Sequence, residues 1–110
     1  MDIVVLKSKL AYVKIASTDL YYDGSLGIDK TLMEKVNIIP YEQLHVLNVT
    51  NGHRFITYAI EEPEGSNRVS VYGAAAKLCD PEDELIILTY AHINSGSESV
   101  TPIVINFREQ

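Results

Sequence analysis

Tryptophan is absent from the 110 residues, and cysteine occurs once, as Cys79. A single cysteine excludes an internal disulfide and a multi-cysteine zinc site, and its expected place is the core, as a small hydrophobe. Such sparse cysteine use suggests a reducing cytoplasm. The glycosylation sequon Asn48-Val49-Thr50 is then an accident of sequence. Basic residues are scarce too: nine Lys plus Arg face fifteen Asp plus Glu, a net charge of −6. Phosphate backbones are bound by clustered cations, so no nucleic acid partner is expected, and a DNA-binding regulator is disfavoured. No apolar run reaches the ~18–20 residues of a membrane span. The start, Met1-Asp2-Ile3-Val4-Val5-Leu6-Lys7, has an acid where a signal peptide has positive charge. Neither membrane nor secretion is expected. Gly-x-Ser-x-Gly, a phosphate-binding glycine loop and Cys-x-x-Cys are missing. His45, His53 and His92 lack metal-ligand spacing, so no metal site is expected.

What is present is an apolar chain, 46% hydrophobic and 22% charged, sized for one domain. A core this small leaves little surplus stability, so assembly into an oligomer would not surprise. Residues 3–15 are β-prone and hold one bent strand or two short ones. Residues 17–20 could form a turn, and Asp23-Gly24 is a turn dipeptide. Asp29 can cap a helix over 30–37 with Leu32, Met33 and Val36 on one face and Pro40 beyond its end. Further strands are expected over 44–50, 53–60, 68–72, 84–92 and 100–107. Asn51-Gly52 predicts a type I′ hairpin, Gly73-Ala74-Ala75-Ala76 starts a short helix, and Pro102 puts the last strand at an edge or at its own start. The acidic groups Glu61-Glu62 and 80–84 read as solvated loops. About seven strands and two short helices indicate a mainly β fold, a barrel or sandwich with small helical insertions.

Two places could hold chemistry. On the strand after the hairpin, Arg54, Ile56, Tyr58 and Ile60 share one face, and His53, Phe55, Thr57 and Ala59 the other. An arginine can hold a carboxylate with two hydrogen bonds and a phenol can donate a proton, although a core tyrosine and a snorkelling arginine would read the same way. The second place is Tyr22-Asp23-Gly24-Ser25. A serine hydroxyl can attack the preceding carbonyl, turning amide to ester. β-Elimination and hydrolysis then leave a pyruvoyl group. Glycine tolerates the backbone geometry this needs. The dipeptide alone says little, since Gly65-Ser66 and Gly96-Ser97 repeat it.

Context sets Gly24-Ser25 apart. Lys9-Leu10, Val13-Lys14, Asp19-Leu20, Tyr22, Gly24-Ser25, Ile28-Asp29, Asn48-Val49-Thr50-Asn51-Gly52, Arg54, Thr57-Tyr58-Ala59-Ile60 and Gly73-Ala74-Ala75-Ala76 occur in order along nearly the whole chain. With these motifs the chain resembles the pyruvoyl-dependent aspartate 1-decarboxylases of pantothenate synthesis. The resemblance implies a double-psi β-barrel, a homotetramer with active sites between subunits, and self-cleavage into residues 1–24 and 25–110. It implies a covalent pyruvoyl cofactor derived from Ser25, which forms a Schiff base with L-aspartate and releases CO2 and β-alanine. Ser25 and Tyr58 would be catalytic, Tyr58 as proton donor. Gly24, Ser25, Thr57 and Tyr22 would serve cleavage. Lys9, Arg54, Thr57, Gly73, Ala74 and Ala75 would bind substrate, the last two through backbone N–H groups. On an ideal strand Thr57 points away from Tyr58, so a bulge is expected if both face the site. The chain departs from the family pattern at Ala11 (histidine), Leu47 (tryptophan) and Tyr72 (asparagine). The alternative is a non-catalytic, unprocessed binding module on the same barrel.

Overall fold

A computed structural model describes residues 1–109. It contains seven strands, one α-helix and one 3-10 helix: β1 (Asp2–Asp19), β2 (Ser25–Asp29), α1 (Lys30–Lys35), β3 (Gln43–Asn48), β4 (Arg54–Glu62), β5 (Val69–Tyr72), a 3-10 turn (Gly73–Leu78), β6 (Glu84–Asn94) and β7 (Ile103–Asn106). The strands follow the order β5-β2-β4-β3-β6-β1-β7, and a further β5–β1 pairing closes the first six into a barrel. β1–β5 and β2–β4 are parallel, the other barrel pairs antiparallel. This is the mainly β, double-psi class of barrel. β7 adds to the free side of β1, parallel to it.

β1 explains the closure. Eighteen extended residues would run ~60 Å, yet the longest dimension of the molecule is 44 Å. The strand therefore bends, at register shifts between Leu6 and Ser8, Ala11 and Val13, and Ile15 and Ser17. At the second shift Tyr12 takes φ +64°, and the Arg108 guanidinium sits 3.7 Å above its ring. One continuous bent strand thus replaces the turn expected at 17–20. Its last residues pair with β5, and the turn comes at Leu20-Tyr21.

Alternation fills the interior. Leu10, Val13 and Ile15 of β1, Leu26 and Ile28 of β2, Leu44 and Val46 of β3, and Leu85 and Ile87 of β6 are buried together with Leu32, Met33 and Val36 around α1. Asp29 starts that helix as expected, accepting a hydrogen bond from the Thr31 N–H at 2.8 Å. Its other carboxylate oxygen accepts from Gly65 N–H and Asn67 N–H, at 2.8 and 3.1 Å, which ties the 63–68 loop to the helix start.

Three expectations change. The β3–β4 connection is a wider turn rather than type I′: only Gly52 has positive φ, +84°. Asn48 organises it, its carbonyl accepting from Gly52 N–H at 2.7 Å and its side chain from Thr50 N–H at 3.0 Å. The acidic stretch at 80–84 is not all solvated. Asp83 is buried and accepts from the Asn48 amide and from Asp80 N–H, both at 2.9 Å. Glu62 also leaves the solvated class, as the site shows.

Candidate active site

The segment Tyr22–Ser25 enters β2 at a barrel edge. Ser25 pairs with Tyr72 of β5, and Leu26 with Ala59 of β4. Leu26 faces the core, so Ser25 and Gly27 face outward. The parallel ladder with β4 begins one residue later, at Leu26 and Ala59, so Tyr58 directly precedes it on β4 as Ser25 does on β2. Outward orientation ordinarily exposes a serine, yet Ser25 is only 2% exposed.

Its strand partner Tyr72 sits in a small network. The Tyr22 ring lies 4.9 Å from the Tyr72 ring. Tyr72 donates its hydroxyl proton to Glu62 Oε1. Glu62 reaches it by lying across Gly27: a Cβ built there would fall 2.0 Å from Glu62 Oε1. Burial and the Glu62 carboxylate push the Tyr72 phenol's pKa up, so it stays protonated. The Ser25 hydroxyl donates to the Asp23 carbonyl at 3.2 Å.

Gly73 meets the junction from the other side. Its φ is +80°, and a Cβ there would lie 2.6 Å from Gly24 Cα, 2.9 Å from Gly24 N and 3.2 Å from the Tyr22 carbonyl. A residue with a side chain would collide with backbone, so only glycine permits this approach. The 3-10 turn opens at Gly73, and the first N–H groups of a helix have no partner within it. Ala74 and Ala75 follow Gly73 in that first turn.

The structure thus brings together Tyr22, Gly24, Ser25 and Gly73, and Thr57 and Tyr58 lie on β4 just before its ladder with β2. No bulge intervenes in β4: the β3–β4 ladder runs without a shift from Arg54 to Tyr58. Thr57 and Tyr58 therefore point to opposite faces.

Lys9 and Arg54 are not brought to Ser25. Arg54 is four residues from Tyr58, ~13 Å along the strand. Lys9 lies level with Leu88, which is level with His45 and then Ile56. Ser25, by contrast, is level with Tyr72 and, through it, with Asp19 of β1, ten residues along that strand from Lys9. The outer face carrying these cations is apolar and open: Ile56 is 59% exposed, with Val4, Tyr90, Ile103 and Val104 also exposed.

The sequence reads Glu62 as part of a solvated loop and gives Gly27 no role. A second acid after a strand reads as a loop, and nothing local shows that it folds over a glycine thirty-five positions earlier.

Together these features define a small double-psi barrel built around one crowded Gly-Ser peptide bond. The sequence model of the aspartate decarboxylase family matches residues 1–110. The aspartate 1-decarboxylase of Maricaulis maris is 41% identical over 96% of this chain and 88% of its own. That of Caulobacter vibrioides is 46% identical over 84% and 79%, and that of Francisella tularensis subsp. holarctica 37% over 98% and 97%. The chain belongs to the aspartate decarboxylase family.

Proposed function

We propose that the chain cuts itself between Gly24 and Ser25, and that the product decarboxylates L-aspartate to β-alanine and CO2, supplying pantothenate synthesis in the cytoplasm. The observation that carries this reading is the close approach of Gly73 to Gly24 around a buried Ser25. Evolution of a positive-φ glycine against backbone makes sense where a peptide bond must be held for attack. The residues fit a pyruvoyl group made in place: the hydroxyl is adjacent to its target, small residues clear the space, and backbone N–H groups of Ala74 and Ala75 can stabilise the oxyanion.

Thr57 and Tyr22 position the junction for cleavage. Once formed, the ketone supplies an electron sink for the carbon–carbon bond that breaks. Arg54 captures one substrate carboxylate with two hydrogen bonds, and Lys9 adds a point charge. Tyr58, on the outer face of β4, holds a proton for the substrate α-carbon. Because Lys9 and Arg54 of one chain stand far from its own Ser25, a neighbouring subunit completes each site. The open apolar face bearing Ile56 and Val104 suits that contact, in a homotetramer. No observation favours the unprocessed binding module.

Intact mass tests the reading. Two chains should appear, the shorter ending at Gly24 and the longer beginning with the pyruvoyl of residue 25. Ser25→Ala should give one chain and no CO2 from aspartate. An uncut wild-type chain that stays uncut after prolonged incubation would overturn it.

A further inference from the structure

Glu62 has no part in the chemistry described above, yet it is placed with care. Its carboxylate occupies the volume that a Gly27 side chain would fill, and it accepts the hydrogen bond of the Tyr72 hydroxyl. Tyr72 is the strand partner of Ser25 and carries the Tyr22 ring against its own. Directly paired residues on neighbouring strands carry their side chains on one face, so the pinned phenol stands beside Ser25, which is 2% exposed.

Shelter from water matters at one stage of self-cleavage. Attack of Ser25 Oγ on the Gly24 carbonyl carbon forms a C–O bond, breaks the C–N bond, and moves the hydroxyl proton to the Ser25 nitrogen. The resulting ester has two fates. In β-elimination the Ser25 Cα proton passes to a base, the Cβ–Oγ bond breaks, and the Gly24 carboxylate departs. The dehydroalanine left behind tautomerises, adds water and loses ammonia to become the pyruvoyl group. In hydrolysis, water adds to the ester carbonyl instead. The Gly24 carboxylate leaves with the carbonyl carbon, and Ser25 keeps its hydroxyl and a free amine. That chain can never form the ketone.

We infer that Glu62 is a positioning residue for maturation: by pinning Tyr72 beside Ser25 it keeps water from the ester and commits it to elimination. The role rests on self-cleavage at Gly24–Ser25. The timing is built into the connectivity. Through the ester stage Gly24 remains tethered by Oγ, so Tyr22 stays against Tyr72. Elimination cuts that tether and frees the segment bearing Tyr22, which admits the one water that the later step consumes.

The test reads the head of the long chain by intact mass after cleavage is complete, since a serine-headed chain is heavier than a pyruvoyl-headed one by one ammonia. The full-length wild-type chain should yield mostly pyruvoyl. Tyr72→Phe keeps the ring and removes the pin, and Glu62→Ala removes its partner. Each should raise the serine-headed fraction roughly tenfold or more, the change that one lost hydrogen bond to a charged group carries. Glu62→Gln keeps an acceptor and should stay near wild type. Gly27→Ala displaces Glu62 and should match Glu62→Ala, with no further change when the two are combined. An unchanged head ratio in Tyr72→Phe refutes the role, and that variant decides the matter if Glu62→Ala fails to fold. A ratio that merely follows melting temperature across the set, Glu62→Gln included, refutes it as well. A wild-type chain that is not cut at all removes the reading beneath it, and is told apart from these results by its single mass.

Discussion

Gly73→Ala perturbs the junction without touching a reacting atom. The added methyl would sit 2.6 Å from Gly24 Cα and 2.9 Å from Gly24 N, both backbone atoms that cannot rotate away. The residue would also hold φ +80°, where an L side chain costs ~1–2 kcal/mol. Overpacking of this kind costs about 1–3 kcal/mol more. A total of ~2–5 kcal/mol against a typical stability of ~5–15 leaves the barrel folded. At ~4 °C or more per kcal/mol, the melting temperature should fall by about 8 °C or more. The cheapest relief is outward movement of Tyr22–Gly24, since that segment lies outside any strand. Moving the carbonyl from the Ser25 hydroxyl should slow cleavage by about a hundredfold, the loss expected from a misplacement near 1 Å. Melting temperature and the cleaved fraction against time, by intact mass, measure both effects. A variant that cleaves at the wild-type rate with an unshifted melt would refute the claim that the Gly73–Gly24 approach positions the bond.

Tyr58→Phe should mature normally and lose about a hundredfold or more in turnover, measured as CO2 release from fully cleaved protein. Burial raises the pKa of Asp29, but N–H donors from Asn67, Thr31, Gly65 and Leu32 outweigh it, so the net shift is downward. Its folded pKa lies below 3.8, so its contribution to stability is present above that value and is lost as pH falls through the folded pKa. Asp29→Asn should therefore lower stability at pH 7 and flatten the acid limb of the stability–pH curve, read by denaturant melts from pH 2 to 7. Desolvation, with Asp83 and Asp80 nearby, pushes the Cys79 thiol up to about 11, despite an opposing hydrogen bond with Asn48. A thiol reagent at pH 8 should label it only after unfolding, and prompt labelling of the native protein would contradict its placement.

Much of the local structure was legible. The cap at Asp29 and the apolar spacing of Leu32, Met33 and Val36 specify the helix start and its buried face from adjacent residues. The strands follow from alternation, and the split of β4 into an Arg54–Ile56–Tyr58 face and a Phe55–Thr57–Ala59 face is the one observed. Failures came where a distant partner overrode a local rule. Asn51-Gly52 is a strong type I′ signal, but Asn48 bonds the turn to itself and, through Asp83, to the start of β6. The turn expected at 17–20 gave way because β5 was available to pair with the end of β1.

The chain's own order of residues determined the fold class, the helix cap, the Gly24-Ser25 candidate and the family, because each rests on neighbours in sequence or on motifs in a fixed order. Tertiary structure alone decided which Gly-Ser pair is crowded, that Gly73 presses on Gly24, and that Glu62 reaches Tyr72 over Gly27. It also decided that Ser25 is level with Asp19 on β1 and not with Lys9. Those relations depend on how strands register side by side, and register is set by closure of the whole barrel, which no single segment encodes.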